Sequence, residues 1–397
     1  MEKSKSGIQR VGSETSSLSL VTAVVFDEGL SMALWRLPNA TNSTLIVSNT
    51  LRRLKSHAPL ESLPPGFIFA PYCEDNPGIF IEREISFTVE GDVVSPPGYP
   101  LESVAARWLD DYRESHASKR IRIAARTLPA LPANEKEHYL DLVRKSIESI
   151  EQGRFEKVVP SRIKCIALGE NFDLLKTYQN LCSEHPEALI TLVHIPDVGT
   201  WIGASPEILV GVENGTIFRT VALAGTQPYD GRPVKSVAWT QKEIEEQALV
   251  ERYIISCFKK IRLREYEEHG PKTVVAGKLM HLRSDFTVDM NATNFPQLGS
   301  VMLELLHPTS AVCGMALEPA REFLRLNEGY DRLYYTGYLG PVNIQRNTDI
   351  YVNLRCMQLT GRHALLYAGA GVTGDSVPES EWEETEMKFN TLSTSLT

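Results

Sequence analysis

Apolar positions recur along this chain with two periods, and the switches between them outline its elements. From residue 18 to about 95, short apolar runs such as VTAVVF, GFIFAPY and GIFIEREISFTV alternate with Pro, Gly and Asn turns. That pattern predicts a series of strands. A helix is expected near 101–116. The run TLPALPA at 127–133 is the most linker-like stretch and divides an N-terminal region, 18–130, from a larger one, 131–397. Residues 1–17 are polar and Ser-rich and read as a flexible tail.

Beyond the linker the helical period takes over. Asn134 can cap a helix, with Glu137 at the capping-box position, Gly153 at its end, and Tyr139, Val143, Ile147 and Ile150 as its buried stripe. Strands are expected at 157–168, 190–194, 200–204, 207–212 and 217–222, with a helix at 174–184 between the first two. A long helix at 240–262 precedes strands at 273–276 and 278–283 and helices at 294–306 and 317–326. Strands at 334–342, 349–360 and 364–368 lead to a last helix begun by Pro378. Helices and strands interleave, yet many strands adjoin one another like hairpins. The expected class is α+β, or mixed α/β, and not a doubly wound sheet.

Composition narrows the partners. A chain of 397 residues can form one large unit or two or three ordinary ones, and can bury a sizeable core. A net charge of −9 argues against nucleic acid, which demands a basic face. No run approaches the ~20 apolar residues of a membrane span. The apolar run at 19–26 follows Lys3, Lys5 and Arg10 but is short and lacks a cleavage site, so it is not read as a signal sequence. Six scattered cysteines without a CxxC pair fit reduced thiols, hence a cytoplasmic protein. A monomer or weak homodimer is expected.

Several charged residues sit where the pattern calls for apolar ones. On the helix at 240–262, Thr240 and Glu243 form a T-x-x-E capping box, and Leu249, Val250, Tyr253, Cys257 and Ile261 make the apolar stripe. Glu246 falls inside that stripe. It either frays toward water in the second turn or is paired, and a carboxylate there suits Mg²⁺. On the last helix Glu381, Glu384 and Lys388 share a face, either as a solvated face with an ordinary i,i+4 pair or as part of a site. Glu207, in the turn GASPE, is an incidental turn residue or a general acid. Lys157 is a solvated strand end or, if buried beside cations such as Arg162, a base.

Two motifs mislead. GAGVTG at 369–374 is literally GxGxxG, but 23 residues remain after it, too few for a dinucleotide-binding unit. The four N-x-S/T triplets carry no weight in a cytosolic protein. P-loop, HExxH and GxSxG motifs are absent from the sequence.

Read in order, FEKVVPSR (155–162), GASPEIL (203–209), LAGTQ (223–227), KEIEEQALV (242–250), LMHL (279–282), LLHPTSAVCG (305–314), YDRLYYTGYLG (330–340), VNLRC (352–356) and AGAGV…EWEETEMK (368–388) resemble the chorismate-utilising enzymes, and among them the isochorismate synthases. The resemblance covers about 135–397. It implies large, mostly antiparallel sheets packed with helices around a central cleft, and a Mg²⁺-dependent isomerase acting on chorismate. Lys157 then matches the lysine that activates water, and Glu207 the acid that protonates the departing hydroxyl. Glu246 and Glu384 match the Mg²⁺ ligands, with Glu381 close by. Gly225, Tyr335, Arg355, Gly369 and Lys388 match positions holding the substrate carboxylates. Thr226, His281, Ala311 and Val312 match pocket-lining positions.

The same resemblance implies that isochorismate feeds menaquinone or siderophore biosynthesis. A salicylate synthase, which goes on to eliminate pyruvate, is the nearest alternative, and a non-catalytic binding protein of the same fold another. Ala224 stands where aminodeoxychorismate synthases carry a lysine. Pro160, Ala222, Gln247, Pro341 and Asp349 depart from the commoner residues at their positions, without removing an implied ligand or catalyst.

Overall fold

A computed structural model describes residues 17–55, 59–96, 107, 108, 111, 121–276 and 279–396. The expected N-terminal tail lies outside these, apart from Ser17, as does the helix expected at 101–116 but for three helical positions, Arg107, Trp108 and Asp111.

Two nine-stranded sheets dominate, and every strand pairing described is antiparallel. The first runs Val93–Ser95, Ile85–Glu90, Ser43–Ser48, Ser31–Arg36, Leu189–Ile195, Gly199–Ser205, Cys356–Thr360, His363–Gly369 and Ser161–Ala167. The second runs Glu267–Ala276, Leu279–Asp289, Ile217–Pro228, Ile208–Glu213, Thr348–Val352, Tyr338–Val342, Gly66–Ala70, Gly78–Glu82 and Leu51–Leu54. Lys157–Val158 pairs with Gly314–Met315 as a separate small ribbon. Strands from before and after the linker thus share both sheets.

Side-chain alternation explains the stacking. In Ser31–Arg36, Met32 and Leu34 join a core with helices, whereas Ala33 and Trp35 join one with the second sheet. Successive side chains of a strand point to opposite faces, so a strand apolar at every position is buried on both sides. Trp35, Trp201 and Tyr367 from the first sheet meet Phe67, Phe69 and Tyr351 from the second in a shared inner core. The helices α1 (Ser17–Asp27), α2 (Glu135–Glu151), α3 (Leu174–Glu184), α4 (Gln241–Lys260), α5 (Leu298–Leu306), α6 (Leu317–Asn327) and α7 (Pro378–Ser393) pack around the sheets. α1, α3 and α7 cover the outer face of the first sheet, and α4 and α5 that of the second. The α+β expectation, with antiparallel sheets and covering helices, is met.

Three local expectations fail. The apolar run at 18–26 is helix α1, not a strand: Leu18, Leu20, Val21, Ala23, Val24 and Val25 are all buried, so this helix is wrapped on most sides and shows no polar stripe. The strand expected at 157–168 breaks at Val159–Pro160, since a proline has no amide to donate to a ladder. The strand expected at 349–360 is two strands in different sheets. Helix signals fare better. Asn134 accepts the amide of Glu137, although the Glu137 side chain pairs with Arg144 rather than closing the box. On α4, the amide and hydroxyl of Thr240 donate to Glu243 at 2.6 and 2.5 Å.

Candidate active site

Two short crossings between the sheets create the centre of the cleft. The chain leaves the first sheet after Gly199–Ser205 and enters the second at Ile208–Glu213, so Pro206 and Glu207 span the gap. It returns between Thr348–Val352 and Cys356–Thr360 through Asn353, Leu354 and Arg355. The crossings are tied together: Val352 donates its amide to the Glu207 carbonyl at 3.0 Å, and Ala204 to that of Arg355 at 2.9 Å. Arg355 sits at φ 45°, a left-handed conformation that turns the chain sharply. Beside them opens a cleft walled by both sheets and by α4 and α7.

Of the residues singled out in the sequence, Glu207, Gly225, Thr226, Glu246, His281, Ala311, Val312, Tyr335, Arg355, Gly369, Glu384 and Lys388 line this cleft. Lys157 and Glu381 do not line it but attach to it. Lys157 is fully buried and donates to Glu246 at 2.7 Å. Glu381 is one turn before Glu384 on α7 and accepts from Lys242 at 2.6 Å.

The surroundings set the charge of each group. Burial raises the Glu207 pKa to about 7 against the pull of Lys157 and Arg355, and among the described residues its carboxyl has no hydrogen-bond partner. It therefore still carries its proton in about half of the molecules near pH 7, where an ordinary carboxyl is ionised. Burial also disfavours the charge of Glu246, but Lys157, with Lys388 and Lys242 behind it, outweighs that and holds the carboxyl below its ordinary value. Burial, then the charge of Glu384, raises Glu381 despite its bond to Lys242.

Arg355 is lowered by burial, and among the described residues its guanidinium has no hydrogen bond or ion pair. A cation so placed faces the cleft as a ready receptor for a carboxylate. Lys388 is held differently, donating to Glu384 at 2.6 Å and to the carbonyl of Gly369 at 2.7 Å.

A bulge shapes the opposite wall. The pairing of Ile217–Pro228 with Leu279–Asp289 slips between Ala224 and Gln227, and Gly225 takes φ +65° there. The freed carbonyl of Gly225 lies 3.0 Å from Nδ1 of His281. Burial and the charges of Arg355 and Lys388 lower His281 to about 3, so it is a neutral imidazole whose Nδ1–H donates to Gly225. Its Nε2 then carries no proton and is an acceptor.

One electrostatic expectation is corrected. Arg162 does not stand beside Lys157 as a cation. Its Nε donates to Thr385, its guanidinium pairs with Glu386, and it stacks on Trp382 at 3.5 Å. The neighbour of Lys157 is instead a carboxylate, that of Glu246, at 2.7 Å.

Glu246, Glu381 and Glu384 offer the hard oxygen donors that Mg²⁺ prefers. Among the described residues no hydrogen bond reaches the buried Oε2 of Glu381, although Ser376 lies close enough to stabilise the carboxylate, and an oxygen so placed fits a cation. Among the described residues no three His, Cys, Asp or Glu side chains form a ready metal cluster; lysines hold these carboxylates instead.

Residues 92–397 match the model of the chorismate binding enzyme family. This chain belongs to that family. Among curated relatives, the isochorismate synthase DhbC of Bacillus subtilis is 28% identical over 299 residues, 72% of this chain and 74% of that one. The vibriobactin-specific isochorismate synthase of Vibrio cholerae is 26% identical over 325 residues, 80% and 79% of the two chains. The solved structure of MenF, the menaquinone-specific isochorismate synthase of Escherichia coli, superposes with a TM-score of 0.73 at 19% identity, covering 98% of this chain and 92% of that one.

In this chorismate binding enzyme two neighbours of the cleft escaped the sequence reading. Gly371 lines it, and a Cβ there would stand 2.7 Å from Oε1 of Glu246 and 3.0 Å from Cε of Lys157. Its signal is present in GAGVTG, whose first two glycines, Gly369 and Gly371, each sit where a Cβ would crowd a neighbouring oxygen. Lys242 lies four residues before Glu246, on the same face of α4.

Proposed function

We propose that this chain is an isochorismate synthase, an isomerase that interconverts chorismate and isochorismate. What supports it most is Glu207: a buried, unpartnered carboxyl with a pKa near 7, sharing a cleft with the unpaired Arg355. A buried carboxyl that titrates near neutrality is suited to give a proton to a leaving hydroxyl. In this reading Arg355 and Lys388 hold the two carboxylates of chorismate, and Tyr335 and neutral His281 orient the ring. Water adds at C2 as Lys157 takes its proton, the ring double bonds shift, and the C4 hydroxyl leaves as water with the proton of Glu207.

Mg²⁺ belongs to the same proposal. Glu246 and Glu384, with Glu381 beside them, would hold it, and when bound it supplies positive charge against a substrate carboxylate. The product would feed menaquinone or siderophore biosynthesis, as the family resemblance implies; of the relatives above, one is named menaquinone-specific and one vibriobactin-specific.

Incubation with chorismate and Mg²⁺ followed by separation of the products tests the reading. Isochorismate alone is expected. Salicylate with pyruvate would make the chain a salicylate synthase, and no turnover would leave a binding protein of this family.

A further inference from the structure

Each of the three carboxylates at the proposed metal site is matched by a different lysine. Lys157 serves Glu246 at 2.7 Å, Lys388 serves Glu384 at 2.6 Å, and Lys242 serves Glu381 at 2.6 Å. Lys157 and Lys388 have tasks in the reaction proposed above. Lys242 has none: it does not line the cleft, yet it reaches from the first turn of α4 to the first turn of α7.

Exposure separates the three further. The Lys242 side chain is 32% exposed, whereas the Glu381 it serves is 1% exposed and Lys157 not at all. A solvent-reaching cation thus covers a buried carboxylate whose second oxygen, Oε2, accepts no hydrogen bond among the described residues, Ser376 standing close by. Burying a carboxylate beside a second one demands a positive charge nearby. With part of its side chain already at the surface, Lys242 can withdraw by rotating that side chain, leaving the helix backbone in place.

We propose that Lys242 is the resident counter-ion of Glu381 and competes with the divalent cation for it, so that its withdrawal sets the metal affinity of the site. The inference rests on the Mg²⁺ assignment made above.

Lys242→Met keeps the stem and removes the charge. Calorimetric titration of the full chain with MgCl₂, without chorismate, should give a dissociation constant about tenfold lower than wild type. In EDTA the variant should melt several degrees below wild type, because Glu381 is left unpaired, and saturating Mg²⁺ should close that gap. Lys235→Met, at an exposed lysine five residues from Thr240, should bind Mg²⁺ as wild type does.

Three results overturn the proposal with the metal assignment intact: wild type binds Mg²⁺ but Lys242→Met binds no more tightly, its melting gap stays open in Mg²⁺, or Lys235→Met tightens binding equally. A wild-type protein with neither binding heat nor a melting shift in millimolar Mg²⁺ overturns the metal assignment itself, and the inference with it.

Discussion

Nζ of Lys157 lies 2.7 Å from Oε1 of Glu246, although 88 residues separate them in the chain and one belongs to a two-residue strand, the other to a helix. Gly371 makes the pair possible, because a methyl group at that position would intrude on both partners. The intruded atoms are side-chain ends, so the fold can yield where the pair cannot.

Gly371→Ala should therefore fold and melt within about two degrees of wild type while losing at least tenfold in kcat. Melting curves and steady-state rates check both halves. Full activity would show that the Lys157–Glu246 geometry is not needed for turnover.

Glu207→Gln should lower kcat by roughly 10²–10⁴, the usual worth of a general acid. Wild-type kcat should fall as pH rises through about 7, where Glu207 loses its proton. The sign for stability follows from the same shift. A carboxyl whose folded pKa is raised favours the folded state below its unfolded pKa, and that favour is lost as pH rises through the folded value. At pH 8 Glu207→Gln should thus be more stable than wild type by up to about 3 kcal/mol, with the gap closing toward pH 4.5. Denaturant titrations at the two pH values measure it.

Arg355→Met should raise KM for chorismate by roughly 10–100-fold, the loss of a charge-assisted carboxylate contact. Its melting temperature should equal or exceed that of wild type, since an unpaired buried cation costs stability that a thioether does not. A large drop in melting temperature with unchanged KM would make Arg355 structural.

Chelation should abolish turnover, and added Mg²⁺ should restore it. Glu384→Ala should raise the Mg²⁺ concentration needed for half-maximal rate by at least tenfold. A wild-type rate indifferent to EDTA would remove the metal from the mechanism.

Much of the site was legible because its signals are local. The 3.6-residue period marked Glu246 as a carboxylate on an apolar stripe, and Pro378 with the spacing of Glu381, Glu384 and Lys388 placed those residues on one helical face. What escaped depends on distant packing. VNLRCMQL reads as one strand because Val352 and Cys356 are both buried, but they belong to different sheets, and only the stacking of those sheets forces the turn at Arg355. Helix α1 was misread because β-branched residues dominate a segment wrapped by core on most sides. The lysine partners of the three carboxylates lie on separate elements, out of reach of any periodicity.

The paired crossings at Glu207 and Arg355 also govern which changes of length this chain can absorb. Lengthening either by one residue would carry the acid or the guanidinium away from its counterpart and break the backbone hydrogen bonds from Val352 to Glu207 and from Ala204 to Arg355. An extra residue in the exposed hairpin at Asn214–Gly215 would disturb neither. A scan of single-residue insertions should therefore find catalysis extinguished at these two short bridges between sheets and retained at the hairpin tip, drawing the reacting centre directly onto the map of tolerated length.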